Sequence, residues 1–188
     1  MRTVVLSALA AEDAAVPLRA ELLRLLRSRG DHVRFVDLAR LVVKPCVGCG
    51  RCGWESPGRC VLRDDMTGLL PEVARCDRLV LATPIFIGVH HPLLKRAVDR
   101  LLPLAGPLWT LRQGEMHHVP RHPDPPALVG VGWLGQDGRP EEEATFRRLI
   151  GRHAVNLGCP RHAAVVVGAG ADGGPLIAAG LDLTEVSG

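Results

Sequence analysis

Residues 77–88 read Asp77-Arg78-Leu79-Val80-Leu81-Ala82-Thr83-Pro84-Ile85-Phe86-Ile87-Gly88, an apolar run that leads into a turn with proline and glycine. The four consecutive apolar residues at 79–82 are typical of a parallel strand that is buried on both faces. A helical pattern follows directly, from Pro92 to Leu101. We therefore predict a strand, a turn and a helix in this order, which is the unit that builds parallel sheets.

The same alternation of strand and helix extends in both directions along the chain. We predict five strands, at residues 4–8, 32–36, 77–83, 127–133 and 163–167. Helices are predicted at 17–30, 66–73, 92–101 and 141–155, and Asp64 and Asp65 are expected to cap the second of them. This pattern predicts an α/β protein with a parallel sheet and helices on both faces.

Two segments do not fit this pattern. Residues 106–126 are rich in proline and histidine and are predicted to be a long connection between a helix and a strand. Residues 168–188 are rich in glycine and alanine and are predicted to be a weak last helix or a loosely ordered tail. We interpret residues 1–188 as one domain that carries both segments.

Composition excludes several classes of function. The net charge of +3 on 188 residues gives no case for a nucleic-acid or membrane surface. The N-terminal stretch Met1–Ala11 resembles a short signal peptide, but it is predicted equally well as a buried first strand. Because the cysteines are clustered rather than spread, a reducing compartment is favoured, and we predict a cytoplasmic protein.

Four cysteines fall within the segment 44–61, in the pattern C-x2-C-x2-C-x7-C, and are predicted to ligate a metal centre: Cys46, Cys49, Cys52 and Cys60. Thiolates bind soft metals, and this tight run is more typical of a [4Fe–4S] cluster than of zinc, which more often uses two separated pairs. The third alternative is a loop of free thiols. The glycines at 48, 50, 53 and 58 fit a loop that needs backbone with positive φ.

Other polar residues and cysteines are predicted to have structural roles. Lys95, Asp99 and Arg100 are spaced as an ion-pair set on a helix surface. The remaining cysteines, Cys76 and Cys159, are predicted to be small buried core residues. The adjacent His90 and His91 should point in different directions, which disfavours a joint metal site.

Three stretches resemble the iron–sulfur flavoprotein branch of the NAD(P)H-dependent FMN reductase family: 44–60 with its cysteines, Asp64-Asp65-Met66, and 82–88 followed by Lys95 and Asp99-Arg100. The resemblance implies a flavodoxin-like, doubly wound, five-stranded parallel sheet in the order 2-1-3-4-5, with the cysteine loop after strand 2. It implies an oxidoreductase that passes electrons between FMN, a [4Fe–4S] cluster and a partner protein or small acceptor. NAD(P)H is an expected donor.

The resemblance also assigns residues to the flavin. In such proteins the turn after the third strand contacts the isoalloxazine ring, and here this turn holds Thr83, Pro84, Ile85, Phe86 and Gly88. The glycine-rich end of the fourth strand, with Gly132 and Trp133, is the expected second wall. The alternative is that both stretches are turns in which proline and glycine serve the backbone alone.

One stretch departs from the family. The loop after the first strand normally binds the FMN phosphate, but residues 8–17 contain no glycine, offer no hydroxyl, and add Glu12 and Asp13. A phosphate needs free N–H groups and positive potential. Arg19 is the cation that could compensate for the two carboxylates. The second hypothesis is therefore a flavin-free relative that serves as a cluster-bearing subunit, a scaffold or an enzyme of altered chemistry.

The region after the flavin turn is more apolar than one sheet-facing helix requires, with Ile87, Val89, Leu93, Leu94, Leu101, Leu102, Leu104, Leu108 and Trp109. Such a surplus indicates an interface, and a two-fold dimer is the commonest form. We predict a homodimer or higher oligomer in which the 106–126 segment reaches over the partner's pocket. The alternative is that these residues complete the core.

Overall fold

The computed structural model describes residues 1–11, 13–112 and 114–184. Within these ranges it contains eight strands: β1 (Arg2–Ser7), β2 (His32–Asp37), β3 (Arg78–Phe86), β4 (Val89–His90), β5 (Ala105–Arg112), β6 (Glu115–Pro120), β7 (Ala127–Leu134) and β8 (His162–Gly168). The helices of the same ranges are α1 (Val16–Ser28), α2 (Arg51–Trp54), α3 (Met66–Ala74), α4 (Pro92–Asp99), α5 (Pro140–Leu157) and α6 (Gly173–Asp182).

The central sheet has the order β2-β1-β3-β7-β8, and each neighbouring pair in it is parallel. β3 is the middle strand, and its first seven residues are buried. The short β4 adds an antiparallel pair to the end of β3. The predicted α/β class, with a parallel central sheet, is confirmed.

Helices cover both faces of the sheet because each presents an apolar stripe to the strands. α3, α4 and α5 pack on one face, through a core that includes Met66, Leu94 and Phe146. α1 and α6 pack on the other face, through Leu22 and Ile177 among others. The first face is the one that also receives the cysteine segment.

The segment 106–126 is not the irregular connection that its prolines and histidines predicted. β5 and β6 form an antiparallel hairpin, in which Trp109 pairs with His118 and Leu111 with Met116. Arg112 attaches the hairpin to α5 by donating hydrogen bonds to the carbonyls of His118 and Val155, at 3.0 and 2.9 Å. The prediction was wrong because Pro107 lies in the register shift of β5, Pro120 ends β6 and the other prolines follow it, so that the missing N–H groups break few ladder bonds.

The glycine- and alanine-rich tail forms α6 from Gly173 to Asp182, while residues 185–188 lie outside the described part of the chain. Small residues are used here for close packing against the sheet. A Cβ on Gly180 would lie 2.4 Å from the Val165 side chain of β8. Of the two alternatives for this tail, the helix is therefore the one that the structure contains, as far as it is described.

Among the described residues, no helix combines the length and the apolar character that crossing a bilayer requires. The cytoplasmic location stays a prediction.

Candidate functional site

The residues predicted to hold a flavin ring lie together at the carboxyl edge of the sheet. In the register of β3 and β7, Thr83 pairs with Gly132 and Pro84 with Trp133. β1 reaches the same edge at Ser7, which pairs with Ala82. Ligands of doubly wound proteins bind outside this edge, where the strand order reverses.

The turn between β3 and β4 has a strained backbone. Ile87 has φ +46° and Gly88 has φ +82°, and together they join the antiparallel pairs Phe86–Val89 and Ile85–His90. Two positive φ values suit a two-residue hairpin turn, but they are unfavourable for a β-branched residue such as Ile87. Phe86 and Ile87 are 58% and 70% exposed. Strain of this kind is concentrated at ligand sites, so this exposed apolar edge is a candidate contact surface.

The other residues predicted to contact the flavin ring make contacts inside the protein. The buried Thr83 hydroxyl accepts a hydrogen bond from the His91 N–H at 2.9 Å and donates to the Pro84 carbonyl at 2.8 Å. A Cβ on Gly132 would lie 2.8 Å from both Ile85 and Phe146, and a Cβ on Gly88 would lie 2.9 Å from Thr145 of α5. These two glycines are thus required for packing, whatever else the site binds.

The loop between β1 and α1 does not have the form of a phosphate cradle. Residues 9–11 and 13–15 form two short 3₁₀ turns, and the Leu9 and Ala15 side chains are buried. The Ala8 N–H donates to the Ala82 carbonyl at 2.8 Å and the Leu9 N–H to the Ser7 hydroxyl at 3.3 Å, so neither is free for an anion. Glu12, one of the two carboxylates noted in the sequence, lies outside the described residues.

Arg19, the cation that the sequence offered for this loop, makes other contacts. Arg19 of α1 lies 3.4 Å from the Asp37 carboxylate, and its guanidinium stacks 4.6 Å from the centre of the Phe35 ring. Pro17 also removes one N–H from the first turn of α1. The described part of the loop therefore offers little positive potential to a phosphate.

The cysteine segment wraps over the end of the sheet as a loop with one short helix, α2. Gly48, Gly50 and Gly58 have φ of +64°, +68° and +73°, as predicted, whereas Gly53 lies inside α2. The Gly58 N–H closes the loop by donating to the Cys52 carbonyl at 3.0 Å. Arg121 joins the loop to the hairpin by donating to the carbonyls of Cys52 and Ala105, at 3.4 and 3.2 Å.

The four cysteines line one cavity of about 20 Å³, together with residues of the chain around the end of α4. This volume is about that needed by one water molecule. Within the described residues, no three Cys, His, Asp or Glu side chains are close enough to hold a metal ion. Four cysteine thiols fit a soft metal centre in chemistry and number. The cavity that they line is small, and no three of them meet at the distances of ligands to a single ion.

The surroundings of Cys52 hold this thiol in its neutral form. Burial, and then the neighbouring Cys60, Cys46 and Cys49 thiols, raise the pKa of Cys52. A bound metal would supply the positive charge that converts such a thiol to a thiolate. Cys76 and Cys159 lie outside the loop, and burial raises the pKa of each to about 12. Cys76 is a buried core residue as predicted, whereas Cys159 is partly buried and packs against the core.

A buried ion pair holds the two ends of the cysteine segment, and sequence reasoning missed it. The Arg100 guanidinium donates to both oxygens of Asp64, at 2.5 and 3.0 Å, and to the Lys44 carbonyl at 2.8 Å. Asp64 in turn accepts from the N–H groups of Lys44 and Met66. Burial alone would raise the pKa of Asp64, but the hydrogen bonds from Arg100 and the Lys44 N–H lower it.

The surface ion-pair set predicted around α4 is correct for Lys95 and Asp99, which pair at 2.5 Å, but wrong for Arg100. α4 ends at Asp99, so Arg100 leaves the helical spacing and its side chain is fully buried. The Asp65 carboxylate likewise accepts the Val42 N–H at 2.7 Å instead of capping α3. The sequence signal that could have indicated this pair is that Asp64 and Arg100 both occur in the stretches that resemble the family.

A second cavity, of about 560 Å³, shares Cys46 with the cysteine cavity and extends between α4, α5 and the hairpin. Its polar wall includes His117, His118, His153 and Asn156. His153 stacks on His90 with the two Nε2 atoms 2.9 Å apart, whereas His91 accepts the Leu93 N–H, so the adjacent pair diverges as predicted. Burial and then His153 lower the pKa of His90 to about 4, which keeps it neutral.

Comparison with known proteins finds similarity in sequence and in fold. An iron–sulfur flavoprotein of Methanocaldococcus jannaschii is 32% identical over 84 residues, which are 45% of this chain and 42% of that protein. One from Archaeoglobus fulgidus is 35% identical over 81 residues, 43% of this chain and 36% of that protein. Each match thus spans less than half of the relative's own length.

Solved structures are similar over nearly the whole chain. An NAD(P)H:quinone oxidoreductase from Methanothermobacter marburgensis superposes with a TM-score of 0.66 at 14% identity, over 94% of this chain and 90% of that one. An FMN-dependent NADH-azoreductase from Bacillus anthracis, in complex with FMN, gives 0.64 at 13% identity, over 98% and 100%. At such identities the likeness concerns the fold alone.

The sequence profile described as "NADPH-dependent FMN reductase" matches residues 4–120, which are 117 of the 188 positions and include β1, the cysteine loop, the β3–β4 turn and α4. Together with the sheet order and the position of the site at its carboxyl edge, this match shows that the chain belongs to the NADPH-dependent FMN reductase family.

Proposed function

We propose that this chain is a flavin-dependent oxidoreductase that holds a [4Fe–4S] cluster between Cys46, Cys49, Cys52 and Cys60. The observation that carries the proposal is the convergence of these four thiols on one cavity, between the sheet edge and the end of α4. The names of the curated relatives, iron–sulfur flavoproteins, support the same cofactor pair. When bound, the cluster and the flavin would supply single-electron and hydride chemistry, respectively.

The cluster and the flavin are assigned to different residues of the chain. The four thiolates ligate the cluster, and the glycines with positive φ allow the loop to widen around it. The exposed Phe86 and Ile87 offer an apolar surface for the flavin ring, and Trp133 lies on the neighbouring strand. NAD(P)H is the proposed donor, in keeping with the name of the family.

The second cavity is the proposed place for a small electron acceptor or a segment of a redox partner protein. It shares Cys46 with the cysteine cavity, so its contents would lie directly against a cluster ligand. Its volume of about 560 Å³ lies in the range of small-molecule sites. All six cysteines belong to the described part of the chain and are free thiols there, which suits a reducing compartment such as the cytoplasm.

The second candidate function is that of a flavin-free relative, favoured by the β1–α1 loop. That loop uses its N–H groups internally, and Arg19 pairs with Asp37. The FMN phosphate therefore has no evident partner among the described residues of this loop. In this alternative the chain keeps the cluster and acts as a partner subunit, a scaffold or an enzyme of altered chemistry.

We also propose a homodimer across the apolar surface near the flavin turn. Leu94 and Leu101 of the predicted set belong to the core, but Ile87, Leu108 and Trp109 are exposed. The hairpin adds Leu111 and Met116, which pair across its two strands and are 69% and 59% exposed. An apolar face of this size on a hairpin is typical of a protein interface.

Replacing Cys49 by serine tests the cluster. Cys49 lies in the exposed loop outside the strands, so we expect Cys49→Ser to lose most of its iron while its circular dichroism stays that of the wild type. Cys159→Ala, which removes a cysteine outside the loop, is the matched control and should keep full iron content. Full iron content in Cys49→Ser would contradict the four-ligand assignment.

A comparison of FMN with riboflavin tests the flavin site. Since the described loop offers the phosphate little, its contribution should stay below about 0.7 kcal/mol, and the two Kd values should agree within about threefold. Fluorescence titration under anaerobic conditions measures both. FMN bound more than about a hundredfold tighter than riboflavin would mean that a phosphate site exists. Binding of neither flavin would favour the flavin-free alternative.

Replacing Leu111 by glutamate tests the dimer. A charge in the centre of an apolar interface is unfavourable, so Leu111→Glu should convert the dimer to a monomer near 20.2 kDa in light scattering at micromolar concentration. Leu183, equally exposed at 69%, lies outside the proposed interface, and Leu183→Glu should remain dimeric. A wild-type protein that is monomeric under these conditions would refute the interface.

A further inference from the structure

One buried donor in the wall of the cysteine cavity is without an acceptor. The Arg100 side chain is 0% exposed, and its Nη1 and Nη2 atoms are satisfied by Asp64 and the Lys44 carbonyl. The Arg100 Nε is also buried, yet it makes no hydrogen bond within the described residues. A buried N–H without an acceptor costs about 1–3 kcal/mol, and native proteins contain few of them.

The surroundings of this donor indicate which acceptor it serves. Arg100 lines the same cavity as Cys46, Cys49, Cys52 and Cys60. Burial lowers the pKa of Arg100, but the side chains of Asp64 and Cys60 raise it overall, through hydrogen-bonding proximity and through charge, so Cys60 is a direct neighbour of the guanidinium although it lies outside strict hydrogen-bond geometry with Nε. A thiolate sulfur in this place would be a charged acceptor for the free N–H.

The ion pair has its positive end toward the cavity. Arg100 is part of the cavity wall, whereas Asp64 is not, because it lies behind the guanidinium and accepts the N–H groups of Lys44 and Met66. Asp99 also lines the cavity, but its carboxylate is exposed and paired with Lys95. Negative charge that develops on the sulfurs would therefore meet a fixed, desolvated guanidinium.

We propose that Arg100 tunes the redox centre of this chain: its Nε–H donates to the sulfur of Cys60 once the four cysteines ligate a cluster. This inference rests on the proposed function. The sulfurs of a bound cluster would carry more negative charge in its reduced form, and a hydrogen bond from Arg100 to a ligand sulfur would stabilise that form. Arg100 thus raises the reduction potential, and Asp64 positions it to do so.

The test compares the reduction potentials of reconstituted proteins by titration monitored with electron paramagnetic resonance. Arg100→Lys keeps the positive charge but removes the Nε–H. It should lower the equilibrium constant for one-electron reduction of the cluster about tenfold, which corresponds to a reduction potential lower by about 59 mV. Arg100→Gln removes the charge as well and should lower it further. Arg121→Lys is the matched control, because Arg121 also attaches to the loop, through the Cys52 carbonyl, but does not line the cavity.

A second measurement needs no change at Arg100. In protein labelled with ¹⁵N in the arginine guanidino groups, the reduced cluster should show a nitrogen hyperfine coupling by electron–nuclear double resonance. Arg121→Lys should retain this coupling. If the Arg100 variants lose their iron, presence or absence of the coupling decides the inference.

The outcomes separate this inference from the proposed function. Wild-type protein that takes up no iron would overturn the proposed function and the inference with it. Fully loaded Arg100→Lys at the wild-type potential, or a loaded wild-type protein without an arginine nitrogen coupling, would overturn the role of Arg100 alone.

Discussion

The buried ion pair between Asp64 and Arg100 determines where the cysteine loop lies. It joins the two ends of the segment, since Asp64 follows the last cysteine, Lys44 precedes the first, and Arg100 follows α4 on the sheet. Removing one partner of a buried pair typically costs about 3–5 kcal/mol, because the other charge is left uncompensated. The pair therefore explains the position of the cysteine loop better than it explains the net stability of the protein. The position of all four thiols relative to the sheet depends on it.

This position brings two kinds of site to one end of the molecule. The cysteine cavity lies beside α4, and the strained Ile87–Gly88 turn precedes the same helix, so one rigid element separates them. The β1–α1 loop at the same sheet edge departs from the family, because the Ala8 and Leu9 N–H groups are used within the fold and Arg19 pairs with Asp37. A chain can therefore belong to the family and still have an altered phosphate-binding loop, because binding sites vary among proteins that share a fold.

Much of the fold could be predicted from the sequence, because the parallel strands are short continuous apolar runs and the helices carry regular apolar stripes. The prediction of β3, for example, rested on residues 79–82, which are all completely buried. The β5–β6 hairpin was missed because its exposed strands alternate weakly and are flanked by proline. The residue types of the cysteine cavity could be predicted from spacing alone, since sulfur ligands near in sequence need little help from the fold.

The residues that complete the cavity could not be predicted in this way. Arg100 resembles Lys95 and Asp99 in spacing, and only the end of α4 at Asp99 turns its side chain inward to a carboxylate 36 positions away. The most direct test of the account is Mössbauer spectroscopy of the wild-type protein after anaerobic reconstitution with ⁵⁷Fe and sulfide. The account predicts a single species with about four irons per chain and the valence-averaged signal of a [4Fe–4S] cluster. A chain that takes up zinc instead, or that keeps four free thiols, would contradict it.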